Sequence, residues 1–229
     1  MRMGHDARPM GSTFIPSRCA LIETRGSNYL VRGNMPLLGA DLHFALEEIE
    51  KASGVSFAGK RFMEFPIIDN VGEREEFEPL CLAFGVDPAQ FPASSWPWWE
   101  HHVGGNTMLG STLATEGHTL PGSLTWRPFE GLPPSTDSKV FLHAPGWDYV
   151  GFVGHVDRVM SQAKNAVVYV HCQLGADRTG AFHIGLLLKQ GLTLTEAVAK
   201  AGSYTSAGPP NADYMRLVGA YAVELGLDR

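Results

Sequence analysis

The chain has 229 residues, enough for one domain with insertions or for one domain with a small appendage. Hydrophobic residues make up 44% and charged residues 18%, so a sizeable core can form and wholesale disorder is excluded. With 18 basic against 24 acidic residues the net charge is −6, which lacks the basic excess of a nucleic-acid binder.

The 26 glycines and 15 prolines require abundant loops. Three cysteines without a C-x-x-C pair form neither a disulfide framework nor a zinc site, and no metal or cofactor is expected. The longest apolar runs, Ala166–Val170 and Ile184–Leu188, fall far short of the ~20 residues of a membrane span. Residues 1–14 lack the apolar centre of a secretory signal. A cytoplasmic protein is expected, with signal-independent export left open.

Residues 1–17, polar and interrupted by Pro9 and Pro16, read as a flexible arm ahead of a single domain over 18–229. Two extended stretches fit between Cys19 and Val31. Asp41 reads as the cap of a helix that carries Leu42, Ala45, Leu46 and Ile49 and stops near Gly54. Lys60–Asp69 reads as a strand broken near Pro66. From Glu73 to Phe84, the apolar residues Phe77, Leu80, Cys81 and Phe84 fall on one helical face, which makes Cys81 a core residue. Residues 86–138 show no clear period. They hold Trp96, Trp98, Trp99 and Trp126 and read as a loop-rich insertion that packs locally, covers a site or meets a partner. His101, His102 and His118 lie there without a spacing that would gather a metal.

The last third is patterned throughout. Tyr149–Ala163 presents Phe152, Val156, Val159, Met160 and Ala163 on one helical face, and Ala166–Val170 fits a buried parallel strand. A helix over Arg178–Gln190 follows, with Gly191 as its stop. Thr193 and Glu196 form a capping box for a further helix. Asn211 caps the last one, with Tyr214, Leu217, Val218, Tyr221 and Leu225 as its stripe. The order is that of an α/β domain, in which the loop at a strand's C-terminal end is the natural ligand site.

That loop runs His171-Cys172-Gln173-Leu174-Gly175-Ala176-Asp177-Arg178-Thr179. Cysteine and arginine at this spacing mean little by themselves; the strand before and the helix after give them weight. Backbone N–H groups from Gln173 to Thr179 can form an anion nest reinforced by the helix N-terminus. The same field favours a thiolate, and such sites bring a cysteine from about 8.5 down to ~3.5–7.5, which makes Cys172 a nucleophile. Arg178 offers a planar fork for two phosphoryl oxygens, and Thr179 can hydrogen-bond the sulfur as it leaves. His171 reads as a loop organiser.

These residues resemble the His-Cys-x5-Arg-Ser/Thr signature of the cysteine-dependent protein tyrosine phosphatase superfamily. Asn28-Tyr29-Leu30-Val31-Arg32-Gly33 is similar to the opening of small dual-specificity phosphatases. The resemblance implies a central mixed, mostly parallel sheet flanked by helices, with hydrolysis in two steps through a phosphocysteine and no metal.

The family's general acid is commonly an Asp on a mobile loop, often within Trp-Pro-Asp, and no such tripeptide occurs here. The stretch Trp126-Arg127-Pro128-Phe129-Glu130 looks like a variant, Asp137 is better spaced, and Asp148 reads as a helix start. Asp177 directly before Arg178 resembles the Asp-Arg-Thr ending of myotubularin-like and some bacterial phosphatases, in which that aspartate is implicated as the acid. Asp177 is therefore the first choice, ahead of Asp137 and Glu130. Lipid-directed loops often carry lysines where this one has Gln173 and Ala176, so phosphotyrosine proteins are the expected substrates and phosphoinositides the second. A catalytically idle phosphate-recognition module and a sulfur- or arsenate-handling enzyme are the alternatives. Redox pairing of Cys172 with Cys19, or a role for Cys81, is left open.

Overall fold

The computed structural model describes residues 14–68, 73–90, 108–109, 112–115, 118–126, 137, 139–143 and 148–227. Strands β1 (Ala20–Arg25) and β2 (Asn28–Asn34) form an antiparallel hairpin, and β2 then pairs in parallel with β9 (Ala166–Cys172). The parallel ladder continues through β5 (Arg61–Pro66) to β8 (His118–Thr125). Two antiparallel strands, β6 (Met108–Leu109) and β7 (Thr112–Thr115), complete this mixed sheet along β8. A short ladder of β3 (Leu37–Leu38) and β4 (His43–Phe44) stands apart from it.

Helices cover both faces. Phe77, Leu80 and Cys81 of α2 (Arg74–Ala83), with Leu46 and Ile49 of α1 (Leu46–Ser53), share one buried layer with Val167 and Tyr169 of β9. The opposite layer holds Val168, Val170 and Cys172 of the same strand. It is covered by α3 (Val140–His143), α4 (Tyr149–Gln162), α5 (Asp177–Lys189), α6 (Leu194–Gly202) and α7 (Ala212–Glu224). A strand buried on both faces has no polar face to show, which is why β9 reads as a continuous apolar run.

Local signals set most boundaries. Gly54 and Gly85, both in the left-handed region, follow the last turns of α1 and α2. Asp148 caps α4 through the Gly151 N–H, Thr193 and Glu196 form the capping box of α6, and Asn211 caps α7 through the N–H groups of Asp213 and Tyr214. Of the stripe expected on α7, Leu225 is exposed.

Three readings shift. The helix expected from Asp41 begins only at Leu46, because Leu42 takes a positive φ and His43–Phe44 pair with Leu37–Leu38. Strand β8 occupies part of the expected insertion; its Pro121 and Gly122 look like turn signals. A Cβ at Gly122 would lie 2.9 Å from the backbone nitrogen of Leu113, so here the glycine marks a close strand contact. Residues 14–17 pack against the domain, with Phe14 buried, its N–H bonded to Leu37 O at 2.9 Å, and that of Ile15 to Asn34 Oδ1 at 2.8 Å. The earlier part of the arm, Trp96, Trp98, Trp99, His101 and His102 lie outside the described residues.

Parallel pairing brings the C-terminal ends of β2, β9, β5 and β8 to one end of the sheet. The site is built there.

Candidate active site

Only Gln173–Ala176 separate the end of β9 from the start of α5. Gly175 turns the chain with φ +67°, and a Cβ there would lie 2.7 Å from the carbonyl oxygen of Gly33, so strain and sterics both demand glycine. The loop carbonyls point outward and each is bonded. Gln173 O accepts from Met35 N at 3.2 Å, Leu174 O from Arg18 Nη1 at 2.6 Å and Gly175 O from Arg32 Nη2 at 2.8 Å. Among the described residues, the N–H groups of Gln173, Leu174, Gly175 and Ala176 meet no acceptor. Next to them is the first turn of α5, whose N–H groups are unpaired by helix geometry and carry the positive end of the helix dipole. Unpaired donors beside a cysteine can seat a tetrahedral oxyanion.

Cys172 is buried at the end of β9, where the loop begins. The Arg178 fork is closed on Glu73, with Nη1 2.8 Å from Oε2 and Nη2 2.5 Å from Oε1. Burial works against the Arg178 charge, but the charge and hydrogen bonds of Glu73 outweigh it and raise its pKa above the ordinary arginine value. One helical turn on, Glu76 Oε1 accepts from Gln173 Nε2 at 3.2 Å, so the start of α2 grips the loop at both ends. Thr179 is fully buried, and among the described residues its hydroxyl has no hydrogen-bond partner.

His171 points into the other layer. Its Nε2 lies 2.7 Å from Glu64 Oε1 in a fully buried pair, and its Nδ1 faces Cys172 O at 3.4 Å. Burial, opposed by the His171 contact, holds the Glu64 carboxyl above its usual range. The three cysteines are free, and burial pushes the Cys19 and Cys81 thiols up to about 12. Cys19 and Cys172 belong to opposite layers of the sheet.

The candidate acids differ in placement. Asp177 opens α5 and its Oδ1 accepts the Asn211 N–H at 2.7 Å, which ties the starts of α5 and α7 together. Asp137 is exposed and accepts the Lys139 N–H at 3.1 Å just ahead of α3. Glu130 lies outside the described residues. Trp126 directly follows β8 at the same end of the sheet as Cys172; its Nε1 donates to Ile68 O at 2.9 Å and its ring rests on Phe77.

Sequence reasoning missed Glu73, Arg32, Glu64 and Arg18. Glu73 looks like any carboxylate favoured at a helix start. Arg32 and Glu64 did carry a signal: each is a charge set among apolar residues inside a strand. Among the described residues, no group of three or more His, Cys, Asp or Glu side chains is placed to hold a metal, and no helix is long and apolar enough to cross a membrane.

No family model and no curated protein matches the sequence. Solved structures do. A kinase-associated phosphatase with its catalytic-site cysteine replaced by serine superimposes with a TM-score of 0.50 at 9% identity, over 88% of this chain and 89% of that one. A mouse putative dual specificity phosphatase complexed with zinc tungstate gives 0.45 at 13% identity, over 97% and 93%. A human tyrosine phosphatase-like serine/threonine/tyrosine-interacting protein gives 0.45 at 12%, over 85% and 91%. At such identities the likeness concerns the fold: the chain has the α/β fold of the cysteine-dependent phosphatases.

Proposed function

We propose that the protein is a cysteine-dependent phosphatase that hydrolyses phosphate monoesters through a phosphocysteine, with phosphotyrosine proteins as substrates. The observation that carries this reading is the loop backbone between Cys172 and the start of α5: three carbonyls bonded outward and, among the described residues, four amide donors left without acceptors. In the first step, the Cys172 thiolate attacks phosphorus while the ester oxygen departs with a proton from a carboxylic acid. In the second, water attacks the phosphocysteine and returns a proton to that carboxylate; inorganic phosphate leaves and the thiolate is restored. The amides and Arg178 meet the charge on the equatorial oxygens. Glu73 keeps the guanidinium charged and in place. Leu174, exposed on the loop, gives an aromatic leaving group an apolar surface, while neutral Gln173 and Ala176 offer nothing to the extra phosphates of a phosphoinositide.

Asp177 is the proposed proton donor. Its bond to Asn211 occupies one carboxylate oxygen and leaves the other for a proton. Asp137, which sits just ahead of α3, and then Glu130 are the second source.

Turnover of p-nitrophenyl phosphate with vanadate inhibition tests the whole reading. Binding of vanadate without turnover would instead identify an idle recognition module. For the acid, kcat is compared for Asp177→Asn, Asp137→Asn and Glu130→Gln on substrates with good and poor leaving groups. Loss of the acid slows the poor leaving group more and flattens the basic limb of the pH profile. If Asp177→Asn slows both substrates equally, or neither, while an upstream variant discriminates, the donor is the upstream carboxylate.

A further inference from the structure

Arg32 is among the largest fully buried side chains, and the mechanism above does not use it. It stands on β2 opposite Val170, and Asn34, two residues on, stands opposite Cys172. Alternation along the two strands puts Leu30 of β2 and Val170 and Cys172 of β9 in one layer, and Arg32 projects to that side, towards α5. There Nη2 donates to Gly175 O at 2.8 Å and Nη1 lies 3.3 Å from His183 Nδ1. Nε has no partner, and no carboxylate pairs with Arg32 among the described residues.

A cation buried this fully normally requires an anion, because an unpaired charge loses its hydration without return. His183 does not supply one. Burial, then Arg32 and Lys200, lower its pKa to about 3, so it is a neutral acceptor. The contrast with Arg178 decides the matter. Arg178 is already neutralised, two oxygens to two nitrogens, by Glu73. The standing excess of positive charge behind the loop therefore belongs to Arg32. The pattern is consistent from the other side: burial lowers the Arg32 pKa to about 10, and Cys172 followed by Tyr169 oppose that drop.

We propose that Arg32 is a positioning residue that anchors the phosphate loop through the Gly175 carbonyl and supplies an uncompensated positive charge on the Cys172 side of the sheet. This rests on the phosphatase reading, in which Cys172 is the nucleophile. The other ionisable or charged groups around the pair are His171 on β9, Tyr169 beside it, Arg178, Asp177 and His183 on α5, Glu73 and Glu76 at the start of α2, Arg18 on the outer side of the loop, Tyr214 on α7 and Lys200 on α6. Of the cations, Arg178 is paired with Glu73, Arg18 reaches the loop only through a carbonyl at the surface, and Lys200 acts on His183.

The test is the pH dependence of Cys172 alkylation by iodoacetamide, read by mass spectrometry on the Cys172 peptide of the full chain, beside p-nitrophenyl phosphate turnover. Arg32→Met keeps the volume and removes the charge, and is expected to raise the alkylation midpoint by about one pH unit or more. Arg32→Lys restores the charge without the fork; its midpoint is expected within about 0.3 unit of the parent even where kcat/KM falls. A loss of packing alone would move both variants together and would not be rescued by lysine. If Arg32→Met does not fold, Arg32→Gln, which keeps a donor for the Gly175 carbonyl, carries the same expectation. A parent-like midpoint in a folded, active charge-free variant, or equal shifts for methionine and lysine, overturns the proposal. A parent protein whose Cys172 titrates as an ordinary thiol and turns over no substrate would sink the phosphatase reading, and the role of Arg32 with it.

Discussion

The two flanks of the phosphate loop handle charge in opposite ways. On the α2 flank, Glu73 closes the Arg178 fork and Glu76 holds Gln173. On the β2 flank, among the described residues, Arg32 meets only a carbonyl and a neutral imidazole. A balanced pair fixes geometry and adds little net field, whereas an unbalanced cation adds field at a cost in burial. In the proposed phosphatase, the α2 flank orients the group that would meet the phosphoryl oxygens, and the β2 flank holds the loop from behind and would bias its nucleophile.

The largest expected effect breaks the site between the flanks. Cys172→Ser, nearly isosteric but far less acidic, should abolish turnover and leave vanadate binding and the melting temperature largely intact. Residual activity within about tenfold of the parent would exclude the covalent route. On the α2 flank, Arg178→Lys replaces a planar fork by a point charge and should cost at least ~10²-fold in kcat/KM, about 2.7 kcal/mol. Near-parent kinetics would reduce Arg178 to a structural member of the helix.

Glu73→Gln sharpens the comparison, since it frees the Arg178 charge without touching the loop. We expect kcat/KM to fall by about tenfold and the melting temperature to drop, because a part-buried cation loses its counter-charge. An unchanged melting temperature would show that this pair contributes nothing to the fold.

The smallest effect is on stability and belongs to the β2 flank. His183 is neutral in the folded chain, with its pKa lowered from 6.5 to about 3. The unfolded chain takes up that proton first, so this contribution to stability is complete above pH 6.5 and is lost as pH falls towards about 3. In His183→Gln the melting temperature should therefore fall less steeply over that window. Equal slopes would mean that His183 does not take up its proton on unfolding.

What could be read from the sequence was local. The β9 run, the loop glycine and the start of α5 are contiguous, so strand, turn and helix signals reinforce one another around Cys172 and Arg178. The caps at Asp148, Thr193 and Asn211 were legible for the same reason. What could not be read depends on strand order. Arg32 and Glu64 come beside β9 because β2 and β5 flank it, and Glu73 meets Arg178 from the start of α2. Strand β8 hid behind Pro121 and Gly122, whose meaning depends on the neighbouring Leu113. The short ladder at His43–Phe44 displaced the start of α1 because pairing with Leu37–Leu38 outweighed a helical pattern.

The most direct measurement is acid-quenched mass spectrometry of the protein during turnover of p-nitrophenyl phosphate, beside the Cys172→Ser variant. The expected result is one phosphoryl group on Cys172 in the parent, absent when vanadate is present, and neither turnover nor label in the variant. Turnover that persists in Cys172→Ser, or a phosphoryl group on any other side chain, would contradict the assignment of Cys172 as the nucleophile.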